Sequence, residues 1–103
     1  MKSLLIVAHG SRRDASNDEV RILATEVAKR LQLPTEQVQV AFLELALPSI
    51  ETAFDECFQR GVNEVSVLPY FLASGSHVAS DVPREIAAAQ LKWPDKTIRV
   101  LPH

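Results

Sequence analysis

The segment Leu4-Leu5-Ile6-Val7-Ala8, closed by His9-Gly10, constrains the fold most. Five consecutive apolar residues offer no polar face, so a strand built from them must be covered on both sides. Strands of that kind belong to parallel sheets flanked by helices. A second run, Val65-Ser66-Val67-Leu68-Pro69-Tyr70-Phe71-Leu72, is nearly as apolar and reads the same way.

Around these runs the chain alternates between strand and helix patterns. Strand one is read over residues 2–8. Helix one spans about 15–33, with Val20, Leu23, Ala24, Val27 and Leu31 as its apolar stripe and Pro34 as its stop. Strand two, 37–43, alternates apolar and polar residues, as an edge strand does. Helix two starts at Pro48, carries Ile50, Ala53, Phe54, Cys57 and Phe58 on one face, and stops at Gly61. Strand three is 64–68. Helix three begins near Asp81-Val82-Pro83, with Asp81 a possible N-cap, and ends before Pro94, where Trp93 packs its end. Strand four is 97–101. The order βαβαβαβ calls for right-handed crossovers and a parallel sheet. The apolar strands one and three take the centre, giving spatial order 2-1-3-4. The winding then reverses between strands one and three, and a crevice opens at their carboxyl ends.

A chain of 103 residues supports one core, so residues 1–103 read as a single domain. The net charge is −2 with no basic stripe, which argues against nucleic acid or an anionic membrane as partner. No apolar run approaches the ~20 residues that span a bilayer. The stretch 4–8 is also too short for a signal-peptide core. A lone cysteine, Cys57, allows no internal disulfide and reads as a small buried hydrophobe. Together these features point to the cytoplasm.

Chemistry gathers at the predicted crevice. His9 leaves strand one, and His77 follows strand three through Ala73-Ser74-Gly75-Ser76. Two imidazoles at neighbouring strand ends suggest a metal or proton-transfer site. Glu44 follows strand two at the same edge, and histidine with carboxylate suits a divalent transition metal. Asp81, four residues beyond His77, either orients that ring or caps the helix. Arg12, Arg13 and the turns Gly10-Ser11 and Gly75-Ser76 can meet carboxylates or other anions. His103 ends the chain at the same edge.

Three segments carry a resemblance. They are Leu5-Ile6-Val7-Ala8-His9-Gly10-Ser11-Arg12, then Ala41-Phe42-Leu43-Glu44-Leu45-Ala46-Leu47-Pro48-Ser49-Ile50-Glu51, then the stretch from Leu68 through Gly75-Ser76-His77 to Pro83. In order and spacing they resemble the small, single-domain sirohydrochlorin chelatases, the CbiX-type class II chelatase family. The resemblance implies a lyase that inserts Co²⁺, and in some members Ni²⁺ or Fe²⁺, into sirohydrochlorin in cobalamin- and siroheme-type biosynthesis. It implies a chelatase-like (flavodoxin-like) three-layer sandwich. It maps the metal-handling and catalytic histidines onto His9 and His77, and an accompanying glutamate onto Glu44. Ser11, Arg12, Arg13, Gly75 and Ser76 would then meet the substrate's carboxylates. No organic cofactor is implied; the divalent metal is itself a substrate. Small members pair as homodimers and usually carry one more helix after strand four than this chain does.

Two rival readings remain beside this one. A histidine phosphatase places arginine before its His-Gly, where this chain has Ala8. A non-catalytic metal carrier or sensor could use the same histidines.

Overall fold

The computed structural model describes residues 1–71 and 76–102, the side chains of residues 76–79 excepted. The elements are β1 (Lys2–Ala8), α1 (Asp14–Leu31), a 3₁₀ turn (Thr35–Gln37), β2 (Val38–Phe42), α2 (Ile50–Gln59), β3 (Glu64–Tyr70), α3 (Ser76–Lys92) and β4 (Thr97–Val100). The four strands form one parallel sheet in the order β2-β1-β3-β4, as the apolar runs require.

β1 is buried from Ser3 to Ala8, and its pleat divides the core in two. Leu5 and Val7 join Phe54, Cys57, Phe58, Val82 and Ala89, so α2 and α3 cover one face. Leu4 and Ile6 join Ala24, Ala28 and Val38, so α1 covers the other. The result is a three-layer sandwich. Among the described residues no helix is long and apolar enough to cross a membrane.

Four sequence expectations are corrected. Helix α1 ends at Leu31, which is exposed; Gln32 turns left-handed, and Leu33 N–H bonds back to Ala28 O, 2.9 Å. That turn swings Leu33 rather than Leu31 onto the sheet. Helix α2 begins at Ile50, not Pro48. Pro48 O accepts from Phe42 N–H, so Pro48 extends the sheet edge, while the Ser49 side chain caps by accepting from Thr52 N–H. Helix α3 begins at Ser76 and passes through Pro83. Asp81 therefore lies inside the helix and is not its N-cap; it pairs with Arg84 at 3.3 Å. The helix carries a proline because Val82, Ile86 and Ala89 pack along one face into the core, and that packing offsets one missing backbone bond.

β3 runs two residues longer than its pattern suggests, through Pro69 to Tyr70. Leu101 N–H donates to Val67 O, so residue 67 faces β4. Pro69 has the same parity and also faces that side, but β4 pairing stops at Val67↔Val100. The missing N–H thus falls where β3 has become an edge.

Asp55 on α2 ties that helix to the end of α3. It accepts from Lys92 Nζ at 2.8 Å and from Trp93 Nε1 at 3.0 Å, and the Trp93 ring packs on Phe58. Lys92 first, then the indole, holds the Asp55 carboxyl below the ordinary carboxylate range. A lowered folded value means that this stabilisation is full above about pH 4 and lost as pH falls through the lowered value. Asp55→Ala is expected to cost about 1 kcal/mol at neutral pH, chiefly through the stranded indole N–H. Urea melts should show the difference from wild type shrinking in strong acid; a pH-independent difference would contradict this account.

Candidate functional site at the carboxyl edge of the sheet

β1 ends at Ala8, but its hydrogen bonding continues. Leu43 N–H donates to Ala8 O at 2.9 Å and Glu44 N–H to His9 O at 3.1 Å. The segments after β1 and β2 therefore leave the sheet side by side. Gly10 permits this close approach. Its φ is +94°, and a Cβ there would overlap the Glu44 carbonyl oxygen.

The outcome is a pair. His9 Nε2 stands 3.4 Å from Glu44 Oε1, with each side chain about half exposed. His9 Nδ1 lies 3.1 Å from Gly10 O. A carbonyl only accepts, so a proton on Nδ1 serves this contact, while a proton on Nε2 serves the carboxylate; the charged ring serves both. Two electron-rich atoms facing each other call for a cation between them, either a proton or a metal ion. Two donors each about 2.1 Å from a tetrahedrally coordinated ion stand about 3.4 Å apart.

Two clefts flank the pair. One, of about 340 Å³, is lined by Ala8, His9, Ser11, Asn17, Val20 and Phe71 among others, between α1 and the end of β3. The other, of about 310 Å³, is lined by Leu43, Glu44, Asp81, Arg84 and Glu85, on the α3 side. His9 belongs to the first and Glu44 to the second, so the pair stands at their boundary.

Among the described residues no three His, Cys, Asp or Glu side chains gather at metal-binding spacing. His77 follows β3 as expected, but it falls in the first turn of α3 and not in a segment ahead of the helix, because α3 begins at Ser76. Its side chain and that of Ser76 lie outside the described residues, as do Gly75 and His103. The shared crevice for the two imidazoles, and the role of Asp81 toward His77, therefore concern groups outside them too. Arg12 and Arg13 are both exposed at the rim. Ser11 donates its N–H to Asn17 and accepts from Arg13 N–H at its Oγ. Cys57 is fully buried, its thiol pushed up by burial and bonded to Gln39, as befits a structural residue.

Two residues escaped the sequence reading. Asn17, 4% exposed, clamps Ser11: Oδ1 accepts from Ser11 N–H at 2.9 Å and Nδ2 donates to Ser11 O at 2.8 Å. Arg21 lies 5.2 Å over the Phe42 ring and donates to Leu47 O at 3.2 Å, tying the Glu44 loop to α1. Both sit among polar neighbours on α1 and read as solvated helix positions. Only the four-residue spacing that places them on one flank of the apolar stripe hints otherwise.

The model of the CbiX family matches residues 3–103. The chain is 33% identical over 94 residues to a sirohydrochlorin ferrochelatase of Priestia megaterium, covering 91% of this chain and 35% of that protein. It is 33% identical over 95 residues to a sirohydrochlorin cobaltochelatase of Methanopyrus kandleri, covering 92% of this chain and 64% of that one. Among solved structures, the sirohydrochlorin chelatase SirB from Bacillus subtilis subspecies spizizenii, in complex with cobalt, superimposes with a TM-score of 0.81 at 33% identity. That match covers 96% of this chain and 42% of the other. The chain thus spans between about a third and two thirds of the curated relatives described.

Proposed function

The chain belongs to the CbiX family, and we propose that it inserts a divalent metal into sirohydrochlorin. The observation that carries this reading is the His9–Glu44 pair, 3.4 Å apart at the carboxyl edge, with a cleft on either side. Co²⁺ is the ion we assign, and Ni²⁺ and Fe²⁺ suit the same donors.

Insertion needs an ion that sheds its ligands and a macrocycle that loses two pyrrole protons. His9 and Glu44 hold the ion with part of its coordination open, so that pyrrole nitrogens can replace the remaining ligands. His77, entering from the start of α3, completes the set in this proposal, with Asp81 steadying it. An imidazole freed as the ion departs can take up a pyrrole proton. Arg12 and Arg13, with Ser11, Gly75 and Ser76, meet the macrocycle's carboxylates. No organic cofactor enters. The cytoplasm stays part of the proposal, on the lone thiol Cys57 and the short apolar runs.

Incubation with sirohydrochlorin and Co²⁺, followed by the absorption change of metal insertion, tests the reading. Acceleration over the uncatalysed reaction is expected. Metal binding without acceleration would identify a carrier and overturn the proposal.

The cleft beside His9 is at the lower end of sizes that enclose drug-sized ligands, about 300–1,000 Å³. A carboxylate-bearing macrocycle exceeds it, so a second wall is required. We assign that wall to a second copy in an isologous dimer. Leu45 and Leu47 are 52% and 78% exposed at the site edge, and Tyr70 is 36% exposed; Phe71, by contrast, is partly buried against the core while lining the cleft. Sedimentation at micromolar concentration should show a dimer, and Leu47→Glu should shift it toward monomer. A monomeric wild type that still inserts cobalt would refute the closure argument.

A further inference from the structure

The two clefts beside the His9–Glu44 pair lie on opposite faces of the sheet and differ in charge. Leu4 and Ile6 point toward α1, so Ala8 has the same parity, and the register Ala8↔Tyr70 sets Tyr70 beside it. The cleft of about 340 Å³ over these residues is walled by Ser16 and Val20, one turn apart on α1, and by Phe71. Among the described residues its lining holds no Asp, Glu, Lys or Arg. The cleft of about 310 Å³ on the α3 side sets Glu44, Asp81 and Glu85 around Arg84, which lies 3.3 Å from Asp81. Arg12 and Arg13, both exposed, directly follow Ser11, a lining residue of the first cleft.

We infer that one edge of the tetrapyrrole enters the α1-side cleft, where Ser16 and Val20 set what fits. This rests on the proposed function, since it takes sirohydrochlorin as the substrate. Such a macrocycle joins an apolar ring system to many carboxylates. Its rings meet apolar walls in Ala8, Val20 and Phe71, while its carboxylates reach Arg12 and Arg13 at the rim. The α3-side cleft would set the same carboxylates against three acidic side chains and an arginine already paired, and like-charge contacts of that kind oppose binding. The α1-side wall is also held before substrate arrives. Asn17, 4% exposed, grips Ser11 through both ends of its amide, at 2.9 and 2.8 Å. A wall already ordered loses little freedom on binding. His9 lines this cleft and Glu44 the other, so the pyrrole nitrogens approach the pair from the His9 side.

The test is titration of metal-free sirohydrochlorin into the metal-free protein, followed by absorbance, beside Co²⁺ titration and the insertion assay. Ser16→Leu narrows the cleft from a half-buried helix position, and Val20→Phe fills it from the wall next to the core. Each is expected to weaken sirohydrochlorin at least about tenfold and to raise its KM in step, with Co²⁺ affinity within about twofold of wild type. Retained Co²⁺ affinity separates a blocked cleft from a damaged fold. Leucine is a good helix former, so Ser16→Leu carries the test if Val20→Phe does not fold. Arg84→Ala, in the other cleft, should bind the macrocycle as wild type does. Wild-type macrocycle affinity in Ser16→Leu and Val20→Phe, or a loss in Arg84→Ala instead, would overturn the assignment while leaving insertion by the wild type untouched. A wild type that binds sirohydrochlorin, loses it in Ser16→Leu and inserts no cobalt would defeat the functional proposal and keep the cleft. A wild type that binds no sirohydrochlorin would defeat both.

Discussion

His9→Ala is expected to slow cobalt insertion at least about a hundredfold, the scale on which a removed proton-transfer or ligand group acts. The substitution deletes Nε2, the nitrogen that stands 3.4 Å from Glu44 Oε1. What remains is a carboxylate, which binds transition metals less selectively than imidazole and cannot match its proton affinity near neutral pH. The fold should survive, because the ring is about half exposed and its Nδ1 contact is with the carbonyl of the neighbouring residue. Thermal melting within a few degrees of wild type, with the loss confined to rate and Co²⁺ affinity, is the expected pattern. Glu44→Gln keeps shape but removes charge and should weaken Co²⁺ by about tenfold, a smaller effect because imidazole remains. A His9→Ala protein that inserts cobalt at the wild-type rate would remove the pair from the mechanism.

Gly10→Ala is expected to be the most destabilising small substitution in the chain. The new methyl would overlap the Glu44 carbonyl oxygen and stand 3.4 Å from Phe42 Cβ, at a φ of +94°. The obstacle is backbone and cannot swing aside like a side chain. Relief requires the Glu44 segment to move off β1, which breaks the bond from Glu44 N–H to His9 O. Backbone strain of about 1–3 kcal/mol and overpacking of similar size together give roughly 2–6 kcal/mol. For a domain of this length that is a fall in Tm of about 10 °C or more. Gly61→Ala is the control: φ is +96°, but nothing lies within 4 Å of the added carbon, so only strain remains. If the two variants melt together, the close approach at Gly10 does not bear on stability. Co²⁺ affinity should fall with Gly10→Ala even at temperatures where it is folded, since the same movement separates His9 from Glu44.

The sheet was readable because its decisive strands are local patterns. An unbroken apolar run can only be central, and strand two's alternation can only be peripheral; order β2-β1-β3-β4 follows. The placement of His9 and Glu44 at one edge follows from that order, since parallel strands end together. Rules that concern one residue's preference did less well. Pro83 suggests a helix start and Asp81 a cap, yet α3 already runs from Ser76, because the face of Val82, Ile86 and Ala89 outweighs one lost hydrogen bond. Pro48 suggests a first turn, yet it is held in the sheet edge by Phe42.

Sequence by itself determined the layers, the strand order and the edge at which the polar residues collect, because burial of apolar runs is additive along the chain. Only the tertiary structure decided the atoms that meet there. That His9 Nε2 faces Glu44, that Gly10 must lack a Cβ, and that Asn17 grips Ser11 all depend on two loops held by backbone bonds to within a few ångströms. Such distances arise from packing between segments far apart in the chain, and no residue pattern within either segment encodes them.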